Sequence, residues 1–322
     1  MTRSYQRALC GVALVAVLAA CAGQPPSAPT PAATEVTSCG RAQSFPTPPK
    51  RILSLNQHAT EILVALGLTD RIVGTAYPDT PDVPASIAAD YRRVKLVAEK
   101  YPSAEQVLEA EPDVVVGGYA SAFSEKDGRG REALERKGIR TLLLAESCST
   151  GPIGISTYTD DLVLFGKAFG VADRAAKLAE ETTRRVDAVS AKLKGVEPVP
   201  VFFYDSGEKV AFTVGGHGLG NDIAKRTGGG NIFADLPKVF GDASWEQVAE
   251  RAPKAVVLVD YLGAGGVDGK RTFLQGHPLV AKTPGVAQGR YVTLTLPDLI
   301  EGIRLADAVE KLARGLHPGV SW

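Results

Sequence analysis

The strongest constraint on the fold is a short stretch that occurs twice. Ser103-Ala104-Glu105-Gln106-Val107 leads through Pro112 into Val114-Val115-Val116, and Ser244-Trp245-Glu246-Gln247-Val248 leads through Pro253 into Ala255-Val256-Val257. The proline stands at the same offset from the glutamate in both. Each copy reads as one unit: a serine N-cap, a short helix opening on Glu and Gln, a proline stop, then a β-branched run suited to a strand buried on both faces. Such strands belong to parallel sheets covered by helices. A chain carrying the unit twice is expected to fold as two similar α/β lobes. The plainer alternative is that Glu-Gln-Val before a proline is merely a common helix ending.

The rest of the chain alternates in the same way. Ile52-Leu53-Ser54-Leu55 reads as a strand, Asn56-Gln57-His58 as a polar loop, Ala59 to Leu66 as a helix ended by Gly67, and Arg71 to Thr75 as the next strand. In the second half Val199 to Tyr204, Val210 to Val214, Ala255 to Val259 and Arg290 to Leu294 read as strands, with a loop at Tyr261-Leu262-Gly263 and a last helix from Leu299 to Leu312. Between the halves, Asp161 to Phe169 reads as one helix. A second, capped by Asp173, keeps Leu178, Thr182, Val186, Val189 and Leu193 on one face. About 22 residues at about 1.5 Å each give a rod of roughly 33 Å, long enough to cross between lobes. The fold class expected is α/β: two similar α/β lobes with parallel central sheets joined by one long connecting helix, and a ligand cleft between the lobes. The boundaries fall at 50–156, 157–196 and 197–322. A helical connector resists the wide opening that a loop hinge allows.

Ahead of this, Arg3 and Arg7 precede an apolar run from Ala8 to Ala20. That run is too short for a spanning helix, so 1–20 reads as a signal peptide. Leu18-Ala19-Ala20-Cys21 resembles the bacterial lipobox, which implies cleavage before Cys21, acylation of its thiol and attachment to the outer face of the cytoplasmic membrane. Rich in Pro, Ala, Ser and Thr, 21–49 reads as a flexible tether, with order expected from near Arg51. Cys39 and Cys148 are then the unmodified thiols. In an oxidising compartment they are expected to pair and staple the N-terminal arm to the first lobe.

Several function classes are excluded. A content of 44% hydrophobic and 22% charged residues is that of a globular chain, and 36 basic against 36 acidic side chains offer no basic face for nucleic acid. Gly215 to Gly220 lacks the Lys-Ser/Thr of a nucleotide loop and misses the Gly-x-Gly-x-x-Gly spacing; its glycines are expected to let a turn approach a ligand closely. His58, His217, His277 and His317 are not at metal-ligand spacing, so no metal site is expected. His58 and His217 fall one per lobe at strand ends, where they could face each other or be simply solvated. No nucleophile elbow or distinctive acid pair is present, so no enzyme activity and no cofactor are expected. Aromatic residues do gather at expected strand-to-helix turns: Tyr77, Tyr119, Phe123, Tyr204, Trp245 and Tyr261, alongside Asn56, Gln57 and Arg304. Ligands of parallel sheets bind beyond the carboxyl ends of the strands, although each aromatic could equally be packing.

Two longer segments carry a resemblance. Ser54 to Gly67 is similar to the opening strand and helix, and Leu164 to Ala175 to the segment before the long helix, of substrate-binding proteins of bacterial ABC importers. The similarity is to the class that binds iron-siderophores, haem and cobalamin, and covers Arg51 to Pro318. Within it the chain looks most like actinobacterial lipoproteins labelled iron(III) dicitrate-binding. The resemblance implies a monomer that binds a ferric siderophore or haem without chemistry, with an ABC permease and, through its lipid anchor, the membrane as partners. It also implies that Glu105 and Glu246 dock onto permease arginines, one per lobe; the competing role is stabilising their own helix dipoles. Arg129, Arg131 and Arg304 are the candidates for an anionic ligand, and Tyr204 and His217 for haem iron. Cobalamin, or an envelope scaffold that keeps only the fold, are the alternative readings.

Overall fold

In the computed structural model, which describes Met1, 33–261 and 266–322, the first element is a hairpin inside the segment expected to be a tether. Strands β1 (Thr34–Ser38) and β2 (Arg41–Phe45) pair antiparallel, with Ser38 opposite Arg41. The two turn residues, Cys39 and Gly40, both have positive φ (49° and 73°), the signature of a tight turn whose twist matches the strands. Val36, Ser38, Gln43 and Phe45 alternate inward. Two of these four are polar, which is why composition misleads here. The tether reading of 21–49 is therefore corrected from Thr34 onward; 21–32, including Cys21, and the signal peptide after Met1 lie outside the described residues.

The polar inward residues have a job. In the first lobe β3 (Ile52–Ser54), β4 (Ile72–Ala76), β5 (Leu96–Ala98), β6 (Val114–Gly117) and β7 (Arg140–Leu143) form an all-parallel sheet in the order β5-β4-β3-β6-β7. Its edge strand β7 needs partners for its outward amides. Ser38 Oγ accepts from the Leu143 amide at 2.8 Å, and Gln43 Oε1 from the Thr141 amide at 3.1 Å. The Cys39–Cys148 disulfide ties the hairpin turn to the loop beyond β7, with a Cα–Cα distance of 5.7 Å.

The second lobe holds β8 (Val199–Tyr204), β9 (Ala211–Val214), β10 (Gly229–Asn231), β11 (Phe240–Ala243), β12 (Ala255–Asp260) and β13 (Tyr291–Thr295). A parallel sheet runs β10-β8-β12-β13, and β9 and β11 make a separate antiparallel ribbon. Both repeated units fold alike. Ser103 and Ser244 each cap a six-residue helix, Ala104–Glu109 and Trp245–Glu250, in a full capping box with Gln106 and Gln247. Each helix is followed by a left-handed non-glycine residue, Glu111 (φ 45°) and Ala252 (φ 42°), and each feeds an interior strand, β6 or β12. Val114 to Val116 and Ala255 to Val259 are fully buried.

The connector is present and doubled. The chain crosses to the second lobe at Ile153, whose amide donates to the His217 carbonyl, and Ile155, whose amide donates to Asp222 Oδ2. Helix Ile155–Phe169 returns to the first lobe, where Arg71 bonds the Phe169 carbonyl. Gly170, left-handed at φ 67°, turns it into helix Ala172–Lys192. That helix starts against the first lobe, Arg174 to the Gly67 carbonyl, and ends against the second, Ser190 to the Arg226 carbonyl. Asp173, expected as the cap, lies instead in the first turn, two positions inside the actual N-cap Val171.

Replacing Cys39 and Cys148 by serine should lower unfolding stability by about 2–5 kcal/mol in urea titrations. Free thiols titrated in the unreduced, denatured protein, or an unchanged midpoint, would show that the bridge is not formed.

Candidate ligand-binding site

Loops beyond the carboxyl ends of strands from both lobes, β4 to β7 in the first and β8, β12 and β13 in the second, line one cleft. A cavity of about 510 Å³ is lined on the first lobe by Tyr119, beyond β6, and by Glu146, Ser147 and Ser149, beyond β7. On the second lobe Asp205 and Ser206 follow β8, Tyr261 follows β12, and Leu296 and Ile300 follow β13. The ribbon supplies an apolar wall of Val239, Phe240 and Phe212, the two phenyl rings stacked at 5.9 Å. A second chamber of about 460 Å³ shares Tyr119, Tyr261 and Leu296 and adds Tyr77, Pro78, Asp79, Glu99 and Lys100. The sheets thus bring their loops together where parallel folds bind ligands. Tyr119 and Tyr261 lie in the loops that follow the strands of the two copies of the repeated unit.

Some expected site residues act behind this surface. Asn56 Oδ1 accepts from the Gly118 amide at 2.8 Å, holding the loop that presents Tyr119. Gln57 Oε1 accepts from the amides of Asp79 and Thr80, fixing the loop beyond β4. His58 is buried in helix Gln57–Ala65, its ring 4.6 Å from that of Tyr119. Glycine is required at 118, because a Cβ there would collide with the His58 imidazole. Tyr77 adopts φ 55°, a strained conformation for a bulky residue, and stacks on Tyr101 at 4.6 Å.

Other expectations are corrected. His58 and His217 do not meet across the cleft lining: the first is buried behind Tyr119, and the second, in a turn with its amide donating to the Lys238 carbonyl next to Val239, is itself not among the residues lining either chamber. Tyr204 and Trp245 are buried in the second lobe's aromatic core with Phe202 and Phe273, and Phe123 packs beneath Arg131. The close approach at Gly216 is to the chain itself, since a Cβ there would strike the Ala234 carbonyl. The expected loop at Tyr261-Leu262-Gly263 is described only at Tyr261. Every arginine proposed for an anionic ligand is committed elsewhere. Arg129 bonds Asp127 and the Pro102 carbonyl, Arg131 bonds Thr141, and Arg304 makes a bidentate pair with Glu61 at 2.6 and 2.9 Å.

That last pair lies between the lobes, with side-chain exposures of 5% and 0%. The helix expected from Leu299 begins only at Leu305, and the residues before it carry the interlobe joint. Beside the ion pair, the Glu146 amide donates to Glu301 Oε2 and the Glu301 amide to Glu146 Oε2, a reciprocal clasp across the cleft floor. Asp161 accepts from the Ala145 amide next to it. Burial drives these acids upward: Glu146 to about 7, Asp161 to about 6, and Glu301 well above the ordinary carboxyl range. Tyr261 is pushed up to about 12, by burial first and then by Asp205, which accepts its hydroxyl at 2.9 Å.

Two lobes of parallel sheet, locked at the floor and open to an aromatic cleft, define a binding protein. A family model described as periplasmic binding protein matches residues 52–296, and the chain belongs to that family. It is 27% identical over 218 residues to a vitamin B12-binding protein of Vibrio parahaemolyticus, spanning 65% of this chain and 70% of that one. It is 25% identical over 280 residues to an uncharacterised ABC transporter substrate-binding lipoprotein of Bacillus subtilis, spanning 84% of this chain and 81% of that one. Its fold is similar to that of a periplasmic binding protein from Veillonella parvula, at a TM-score of 0.82 and 25% identity, over 90% of this chain and 99% of the other. The chain is a binding protein, not an enzyme. Among the described residues no helix is long and apolar enough to cross a membrane.

Sequence reasoning missed Glu146, Asp205, Phe212 and Phe240 as lining residues and Glu61 and Glu301 as interlobe contacts. Asp205-Ser206 directly follows a readable strand, so strand ends examined for acids as well as aromatics would have found them.

The acid cluster sets a pH dependence. An acid whose folded pKa lies above its unfolded value binds more protons when folded, so stability is greatest below the unfolded value and falls as pH rises toward the folded one. Carboxylates held low, such as Glu135 and Asp235, act only below that window. The acid cluster should therefore lower the thermal midpoint between about pH 4.5 and 7, outweighing the opposing His277, whose pKa burial lowers, and Glu301→Gln should flatten the slope. A midpoint rising with pH across that window would contradict the sign.

Proposed function

We propose that this protein is a membrane-tethered substrate-binding protein that delivers a ferric siderophore to an ABC importer. The observation that carries this is the interlobe cleft, where the loop after each copy of the repeated unit contributes one tyrosine, Tyr119 and Tyr261. Its volume and aromatic walls suit a bulky ligand held reversibly. Haem and iron dicitrate receive less support, since Tyr204 and His217 lie off the cleft and Arg129, Arg131 and Arg304 are occupied. Cobalamin is the second reading, favoured by the similarity to the Vibrio protein. The tether is acylated Cys21.

Glu105 and Glu246 are the proposed permease contacts. Both are exposed, each in the first turn of its capped helix. The first helix begins shortly after Tyr101, which stacks on the cleft residue Tyr77, and Trp245 Nε1 at the start of the second donates to the carbonyl of Glu208, in the loop that begins with the cleft residues Asp205 and Ser206. One exposed carboxylate per lobe gives a docked transporter both steering and register.

The test has two arms. Calorimetric titration of the purified protein with ferric trihydroxamates, haem and cyanocobalamin should give micromolar or tighter binding for at least one; binding of none would leave an envelope scaffold as the better reading. Glu105→Ala with Glu246→Ala should abolish cellular uptake of the bound ligand while affinity stays unchanged. Lost affinity in that variant would refute the docking role.

A further inference from the structure

The charge lining the cleft is one-sided. Asp79, Glu99, Glu146 and Asp205 line its two chambers, and among the described lining residues only Lys100, at the exposed rim, opposes them. The inner acids are satisfied by neutral donors, Glu146 by the Glu301 amide and Asp205 by the Tyr261 hydroxyl. Such donors fill lone pairs without cancelling charge. The basic groups behind the lining are engaged with other partners: Arg304 is neutralised by Glu61, His58 Nδ1 lies 3.8 Å from Asp79 behind Tyr119, and Lys270, within the field of Asp205 and over the Tyr261 ring, donates to the Val259 carbonyl. Tyr77, Tyr119, Tyr261 and Phe212 add aromatic rings, whose faces attract positive charge.

A ligand entering this space meets ring faces, Asp205, and Glu146, whose pKa burial raises to about 7 and which an arriving ammonium would draw into its ionised form. A polycarboxylate chelate would set like charges together with no guanidinium to receive them. A ligand bearing an ammonium group would supply the missing counter-charge. We propose that the cleft selects its cargo by charge, taking a cationic ferric chelate whose protonated amine sits against Glu146 and Asp205, and rejecting anionic chelates. This rests on the reading of the cleft as the cargo site.

The test compares ferrioxamine B, a ferric trihydroxamate with one free ammonium, with its N-acetylated derivative, which keeps the chelate and loses the charge, and with ferric citrate. Calorimetry on the whole mature protein should find the ammonium form tighter than the acetylated form by about tenfold or more, and ferric citrate unbound. Asp205→Asn, which can still accept from Tyr261, should narrow the ratio between the two hydroxamates. Glu99→Gln, at the exposed rim, should narrow it without risk to folding. Equal binding of the two forms, or preference for citrate, would overturn the charge inference and leave the site standing. Binding of none at micromolar concentrations would overturn both.

Discussion

A buried ion pair between the lobes holds the molecule in one arrangement. Arg304, at the start of the last helix, clasps both oxygens of Glu61 on the first helix, and neither side chain meets solvent appreciably. Taking one partner from such a pair typically costs about 3–5 kcal/mol, because the other charge is left buried and uncompensated. The pair is also wired to the cleft. Gln57 donates to Glu61 and accepts from the amides of Asp79 and Thr80, so the joint and the loop carrying Tyr77 to Asp79 share one hydrogen-bond network. With the Glu146–Glu301 clasp and two antiparallel crossing helices, this leaves little freedom for a wide hinge.

On that frame the repeated unit acts at both of its ends. Its capped helix presents an exposed glutamate in its first turn, and the loop after its strand brings a tyrosine into the cleft. If the two lobes are held at a set distance, so are the two tyrosines and the two glutamates. Ligand binding and docking would then be read through one rigid spacing, with small adjustments rather than large closure.

Much of this is legible in the sequence because it depends on local chemistry. Serine caps, a proline stop and β-branched runs specify the repeated helix-and-strand units, and hence two parallel sheets. The crossing helix is legible from its one-sided apolar face; its partner, Ile155–Phe169, is legible only from Asp161 onward and not as a second crossing, because only long-range bonds to Asp222 and Arg71 reveal that. The β1–β2 hairpin was hidden by polar inward residues, whose value lies in bonds to an edge strand distant in sequence. Arg304 and His58 mislead for the same reason. A polar residue near a strand end reads alike whether it faces ligand or is buried against a partner such as Glu61 or Tyr119. Burial and pairing are tertiary facts: they take the arginines and histidines out of the cleft lining and leave the expected Tyr77, Tyr119 and Tyr261 there beside acids the sequence did not single out.

The most direct measurement is the affinity of Tyr119→Ala and Tyr261→Ala proteins for the tightest-binding chelate, taken together with their unfolding midpoints. If the cleft between the two copies of the repeat is the binding site, each substitution weakens binding by about tenfold or more, since an aromatic contact and its buried area are lost from one wall. The wall removed is on the first lobe in one protein and on the second in the other. Native affinity in both, with both proteins folded, would contradict an interlobe site.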